Sequence, residues 1–312
     1  MSIPSGTRPR HIAVLVFDGV RTLDLTGPLE VFDVAGEQGC AYSVGLYSAS
    51  GSDRIACSTG LTVDASPASA RTAAIDTLLL PGSESLVTDG VPDQLRRVTG
   101  TLAQQANRVA AVCAGAFALA AAGVLAGRRA TTHWRHQDAF GRQYPSTTVE
   151  RDSVYTRDGH IWTSAGGTAG IDLALALVAE DFGSSVAQAI SKEMLILGRR
   201  MEGHPQISAA ARTPRPKHPS LERLMASIVV DPAGHYELDT VARQLGVSPR
   251  HLARLFKAQV GVTLREYVDE VRLENAVALV LAGESFHSAA RRSGLRSGAR
   301  VRDHLVTRRT PA

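Results

Sequence analysis

The join at Cys113 constrains this chain more than any other feature. A β-type run, Val109 to Val112, stops on the cysteine, and an Ala-rich run of helical character begins directly behind it and continues to Arg129. A strand that passes into a helix through one residue ties this part of the chain to an α/β arrangement with a sharp turn at the cysteine. The Cys113 thiol then stands near a helix N-terminus, where the dipole and the free N–H groups favour thiolate. Val109 to Gly127 also makes 19 uncharged residues in a row, close to the length of a membrane span. Most of them are Ala and Gly, so the expectation is a buried strand-turn-helix in a soluble core, with no membrane partner.

The flanking sequence alternates in the same way. His11 to Phe17 is a continuous apolar run, as for a strand covered on both faces of a parallel sheet. After the Asp18-Gly19 turn comes Leu23 to Phe32, in which Pro28 suits the first turn of a helix whose face is Leu29, Phe32 and Val34/Ala35. Tyr42 to Ala49 reads as a strand and Arg54 to Val63 as a looser β excursion around Gly60. Thr77 to Leu80 is a strand stopped by Pro81-Gly82, and Leu95 to Asn107 is an amphipathic helix. Beyond the elbow come a short strand at Ala130 to His133 and a hairpin of Val149 to Thr156 with His160 to Ser164. Helices over Thr168 to Phe182 and Ser184 to Met201 complete the series. This order predicts a flavodoxin-like, doubly wound α/β sheet.

At 312 residues there is room for two domains, and the charge is divided between them. Residues 1–211 hold 17 Lys+Arg against 20 Asp+Glu, whereas residues 212–312 hold 17 against 10. The basic excess therefore lies in the last hundred residues, as for a nucleic-acid-binding end on a near-neutral partner domain. Four prolines among His204 to Ser220 mark an extended basic linker. From Leu221 onward the β signal vanishes. The expected division is an α/β domain over 10–203, a linker over 204–220 and an all-α domain over 221–312. Cys40, Cys57 and Cys113 are odd in number and lack metal-binding spacing. This leaves no reason to expect a disulfide framework, a metal or a cofactor, and it fits a reducing cytoplasm. The short apolar run near the N-terminus does not read as an export signal.

The most specific signal is Leu238 to Lys257. Two helical segments meet at a tight turn, with small Ala242 where they approach and Gly246 where a positive φ is needed. Ser248 is a good N-cap and Pro249 follows at the first helical position. In the second segment Leu252, Leu255 and Phe256 form an apolar stripe, while Arg250, His251, Arg254 and Lys257 share the other face. A basic outer face on the second helix of such a unit suits major-groove docking on double-stranded DNA.

These residues, with Gly261 to Tyr267 and Arg272 to Ala276, resemble the AraC/XylS family of transcriptional regulators. The resemblance implies two helix-turn-helix units joined by a long helix, here about Leu264 to Leu281. The second unit would use Ser288 to Ser297 and a recognition helix near Ser297 to Leu305. It departs from the family pattern: Leu295 replaces an aromatic, and Asp303 stands where Arg is common. By resemblance, the DNA-binding residues are Ser248, Arg250, His251, Ala253, Arg254, Lys257 and, in the second unit, Arg300.

Residues 11–200 resemble the PfpI-like, class I glutamine amidotransferase-like domain that precedes the helix-turn-helix pair in the GlxA-type branch of that family. The matching pieces are Asp24 to Phe32, Leu80-Pro81-Gly82, Val112 to Ala116, Thr131 to Trp134 and Thr163 to Leu173. The resemblance makes Cys113 the elbow thiol and Asp24 the carboxylate facing it, with backbone around Gly82 and Ala114 as an oxyanion cradle. Asp24, Gly82, Cys113, Ala114 and His133 form the implied ligand pocket. A related isonitrile hydratase places Thr after the Cys, and proteolytic relatives place His there; this chain has Ala114. Three roles for Cys113 stay open: the floor of a sensing pocket, packing alone, or retained catalysis with Asp24. His136 and His160 read as surface residues.

Two functions follow. The first is a bacterial, cytoplasmic, nucleoid-associated transcription factor, homodimeric and responsive to a small-molecule effector. The second is an isonitrile hydratase-like or amidase-like enzyme using Cys113 and Asp24.

Overall fold

The structure is a computed structural model that describes residues 9–196, 198–281 and 283–307. It divides into two compact units between Gln206 and Ile207.

The first unit is built on a seven-stranded sheet. Its strands are β1 (Arg10–Val16), β2 (Tyr42–Ser48), β3 (Ser66–Pro67), β4 (Ile75–Leu80), β5 (Ala106–Val112), β6 (Tyr155–Asp158) and β7 (Ile161–Ser164). Their spatial order is β6-β7-β5-β4-β1-β2-β3. All neighbours are parallel except the β6–β7 hairpin. The α/β, doubly wound expectation therefore holds. Six of the seven β1 residues are buried, which explains the unbroken apolar run: a parallel strand has helices on both sides. Helices α1 (Thr22–Glu37), α2 (Asp93–Gln105), α3 (Gly115–Ala121), α4 (Thr168–Phe182) and α5 (Ser184–Glu193) surround the sheet.

The strand order reverses between β1 and β4. In open α/β sheets, the crevice outside the carboxyl ends of such strands is where ligands bind. Asp24 follows β1, Gly82 follows β4 and Cys113 follows β5. The topology thus carries three of the expected site residues to one end of the sheet.

Several local readings change. Helix α1 starts at Thr22, so Pro28 lies inside it rather than in its first turn. There it lacks the N–H that would bond back to the Asp24 carbonyl. Helix α3 is only seven residues long, and α5 ends at Glu193, short of Met201. His133 lies outside the short Arg129–Ala130 strand, which pairs with Thr148–Val149.

At the bottom of the sheet Arg108 donates to Thr77, Glu180 and Asp181, with 2.7 Å to the nearest Asp181 oxygen. Tyr42 donates to the same carboxylate at 2.7 Å. Burying Asp181 requires such partners, because an unpaired carboxylate would not leave water.

The stretch expected as an extended linker carries ordered structure. Residues 198–206 lie along the first unit: the Arg200 N–H and Nε donate to Asp172, both at 2.9 Å, and Val154 donates to the His204 carbonyl at 2.7 Å. In the second unit, helix α6 (Ala209–Arg212) follows almost at once, and Pro219 opens helix α7 (Pro219–Val230).

The second unit continues with α8 (Leu238–Gln244), α9 (Pro249–Val260), α10 (Leu264–Leu281), α11 (Phe286–Arg292) and α12 (Gly298–Thr307). Its first core gathers Leu221, Ile228, Val241, Leu252, Phe256 and Tyr267; a second, smaller one gathers Ala276, Ala289, Ala290 and Val301. Helix α10 contributes to both. It begins with a capping box: Thr263 N–H donates to Glu266 at 2.7 Å and Glu266 N–H donates back to Thr263 Oγ1 at 3.2 Å. Among the described residues no helix is long and apolar enough to cross a membrane.

Candidate functional site

Cys113 is the turn between β5 and α3, and it takes a positive φ of 58°. A non-glycine residue held there is strained, and the surroundings must enforce it. Its N–H donates to the Ser164 carbonyl at 2.9 Å, and its carbonyl accepts the Thr132 hydroxyl at 2.8 Å. Two glycines make room for it. A Cβ on Gly166 would lie 2.2 Å from Cys113 Cβ and 2.8 Å from Sγ. A Cβ on Gly82 would lie 2.8 Å from each of Asp24 Oδ2, Cys113 Cβ and the Ala114 nitrogen.

Asp24, Gly82, Cys113 and Ala114 therefore meet, although they come from three separate strand ends. Asp24 is fully buried. Its Oδ1 accepts the Gly167 N–H at 2.7 Å, while Oδ2 is buried without a hydrogen bond of ordinary geometry. The Cys113 thiol and the Gly82 N–H flank the carboxylate. Burial raises the Asp24 pKa above the usual carboxylate range against these donors and the nearby Arg21 charge.

The thiol follows the same direction. Burial first, and then the Asp24 charge, push the Cys113 pKa well above that of a free cysteine; the Ala114 N–H and Arg21 only oppose this. The expectation that the helix start favours thiolate is thus overturned. A seven-residue helix supplies a small dipole, and desolvation beside a carboxyl group outweighs it.

His133 is held by its sequence neighbours. Its Nδ1 accepts the Arg135 N–H at 3.3 Å, and its ring lies 5.6 Å from Trp134 and 5.5 Å from His136. Burial and the neighbouring His136 lower its pKa to about 4, so the neutral imidazole prevails at physiological pH. His160 is exposed as expected. His136 is not: it is buried edge-on to Phe117, with Nε2 3.4 Å from Glu84. Glu84 also lies 3.9 Å from Arg21, whose own N–H donates to the Gly82 carbonyl at 2.8 Å. Gly166, Gly167 and Thr132 join the site beyond the residues expected there. The first two stood in the run Thr163 to Leu173, where the paired glycines were the available signal.

The second unit presents a different surface. Gly246 adopts φ 68° in the turn after α8, and Ser248 caps α9 by accepting the His251 N–H at 3.2 Å. Leu252, Phe256 and Val260 are buried, while Ser248, Arg250, His251, Ala253, Arg254 and Lys257 are exposed. The apolar stripe faces the core, which leaves the basic residues facing outward. Leu255 is half-buried.

The second helix-turn-helix has the same local grammar. Ser285 caps α11, Gly294 turns at φ 74°, and α12 follows. Its charges are more engaged. Arg300 lies 3.2 Å from Asp269 of α10, and the Arg302 guanidinium sits 5.5 Å from the Phe286 ring centre.

Comparisons with known proteins agree with this division. Residues 10–180 match the DJ-1/PfpI family, and residues 241–308 match a helix-turn-helix domain. An uncharacterized protein in the cpoL 5' region of Streptomyces lividans is 46% identical over 138 residues, 44% of this chain and 97% of that protein. The HTH-type transcriptional regulator GlxA of Rhizobium meliloti (strain 1021) is 34% identical over 173 residues, 55% of this chain. The chain spans about half (53%) of that regulator's length in the match. Isonitrile hydratase of Pseudomonas putida is 33% identical over 188 residues, 59% of this chain and 77% of the enzyme. Among solved structures, an AraC family transcriptional regulator from Pseudomonas putida superposes with a TM-score of 0.52 at 19% identity. It covers 60% of this chain and 100% of its own, and this likeness supports the fold.

Proposed function

The chain belongs to the DJ-1/PfpI family, and from that premise we propose that it is a one-component transcription regulator that senses a small molecule at the elbow and binds promoter DNA through its second unit. The observation that carries this reading is the outward basic face of α9. Arg250, His251, Arg254 and Lys257 stand exposed opposite a fully buried Leu252 and Phe256 on a helix whose start is fixed by the Ser248 cap. Such a face reaches base edges and phosphates in a major groove. The helix-turn-helix match and the regulator GlxA among the relatives support it.

In this reading Arg250, Ala253 and Arg254 meet base edges and Lys257 meets phosphate. Arg300 of the second unit makes a weaker contact, because it must leave Asp269 to do so. The protein works as a homodimer in the cytoplasm. The pocket lined by Asp24, Gly82, Cys113, Ala114 and His133 takes an effector that prefers one arrangement of the chain over another, since a ligand indifferent to both shifts nothing.

The test is selection of genomic fragments on the full chain, followed by titration of the recovered fragment at several salt concentrations. Specific capture whose affinity falls steeply with salt is expected. Capture of no preferred sequence, or a flat salt profile, would overturn the reading.

A second reading rests on the buried Asp24 Oδ2 beside the Cys113 thiol: an isonitrile hydratase-like or amidase-like enzyme. Ala114 lacks the side-chain hydroxyl that the resemblance implies beside the cysteine of such an enzyme. Turnover of an isonitrile or amide that disappears in Cys113→Ala would establish this second reading.

A further inference from the structure

We infer that Gln206 is the residue that couples the Cys113 elbow to the DNA-binding unit, an inference that rests on the regulatory reading above. Gln206 is the last residue of the first unit, and Ile207 opens the second. Its side chain reaches back into the α/β domain. Nε2 donates to Thr132 O at 2.9 Å, Ser153 O at 3.0 Å and Thr131 Oγ1 at 3.2 Å. Its own N–H donates to Asp152 Oδ1 at 3.0 Å. An amide that converges on three acceptors is held for its donor side, and its Oε1 is left buried without a partner. A glutamine placed only to fill space at a domain end has no need of such a set.

The acceptors lead to the elbow. Thr132, whose carbonyl Gln206 holds, donates its hydroxyl to the Cys113 carbonyl at 2.8 Å. The Cys113 peptide is therefore two hydrogen bonds from Gln206. A second route runs alongside. Val154 donates to the His204 carbonyl at 2.7 Å, and Ala165 donates to the Val154 carbonyl at 2.8 Å. The residue after Ala165 is Gly166, which packs directly on Cys113. Residues 204–206 thus grip both supports of the elbow, one carrying the Cys113 carbonyl and one pressing on its side chain.

Cys113 is held at φ 58°, a conformation that persists only because its supports enforce it, so the elbow and those supports must move together. A molecule seated against the thiol that turns the Cys113 peptide changes the Thr132 hydrogen bond. Thr132 then moves the carbonyl to which Gln206 is tied, and the chain carries the change into Ile207 by covalent continuity. Thr132 and Gln206 are positioning residues in this scheme.

The experiment uses the full chain as wild type, Thr132→Val, Gln206→Met and the double variant. Amide hydrogen exchange is read for peptides covering 111–118 and 204–208, together with affinity for the fragment selected by the wild type. Coupling predicts that Gln206→Met speeds exchange at 111–118, and Thr132→Val at 204–208, each by at least about twofold, and that the double variant adds little to either single one. The same non-additivity is expected in DNA affinity. Exchange changes confined to each variant's own segment, or strict additivity, would overturn the inference. If Gln206→Met does not fold, Gln206→Glu replaces it: the shape is kept while the donor is lost. Failure of the wild type to select any fragment counts against the regulatory reading alone, because the exchange coupling is measured without DNA.

Discussion

Asp24 Oδ1 accepts the N–H of Gly167 at 2.7 Å, across 143 positions of sequence. That bond fixes the carboxyl group under the elbow, where its second oxygen meets no ordinary donor. The charge on Asp24 and the state of the Cys113 thiol are therefore linked, and the linkage can be measured.

Removing the carboxylate charge lowers the pKa of Cys113, because that charge is the second cause of its elevation after burial. In Asp24→Asn the pH dependence of thiol alkylation shifts to lower pH than in wild type, with Cys40 and Cys57 replaced by Ser in both. An unchanged profile means that Asp24 does not face the thiol.

Asp24 has a raised folded-state pKa, so the folded chain holds this proton more tightly than the unfolded chain does. The contribution from this group is fully present below the ordinary value of 3.8 and is lost as pH rises through the raised folded value. Asp24→Asn removes that loss. The melting temperature of the variant relative to wild type rises with pH across this window, and a difference that stays constant with pH refutes it.

Gly166→Ala places a methyl group 2.2 Å from Cys113 Cβ at a residue with φ 89°. Overpacking and backbone strain together cost about 3 kcal/mol or more. Gly60→Ala supplies the control. Its φ is 87°, with nothing within 4 Å of the added carbon, so only the backbone cost of about 1 kcal/mol remains. Denaturant midpoints for the two variants read the difference, and equal losses would mean that Gly166 is not pressed against the thiol.

Arg108→Met leaves Asp181 buried with its strongest partner gone. The guanidinium lies 2.7 Å from a carboxylate that is 3% exposed, and breaking such a pair costs roughly 3 kcal/mol. Urea unfolding measures it, and a loss under about 1 kcal/mol would place the pair among ordinary surface bridges.

Arg254→Ala weakens binding to the selected fragment by about 1–3 kcal/mol and relaxes preference at one base position. Lys257→Ala weakens all sequences alike and reduces the salt slope by about one. Competition titrations with single-base variants separate the two. Unchanged affinity in Arg254→Ala removes α9 from the groove.

Much of this was legible in the chain itself. The Ser248 cap, the turn at Gly246 and the alternation of Leu252 and Phe256 with basic residues are interactions among near neighbours, and near neighbours are adjacent in the sequence. The run His11 to Phe17 announced a strand covered on both faces. Pro28 misled, because a proline suits a first turn by its own geometry, and only the contacts of α1 show that the helix has already begun at Thr22.

The sequence by itself determined the main strands and helices, where the chain turns at Cys113, and which face of α9 is basic. Only the tertiary structure decided what those groups are. It buried Asp24 beside Cys113 and turned an expected thiolate into a thiol, buried His136 against Phe117, tied Arg300 to Asp269, and drew Gln206 back onto Thr132. The reason is physical: capping and periodicity act over a few residues, whereas desolvation and charge pairing depend on groups brought together from distant parts of the chain.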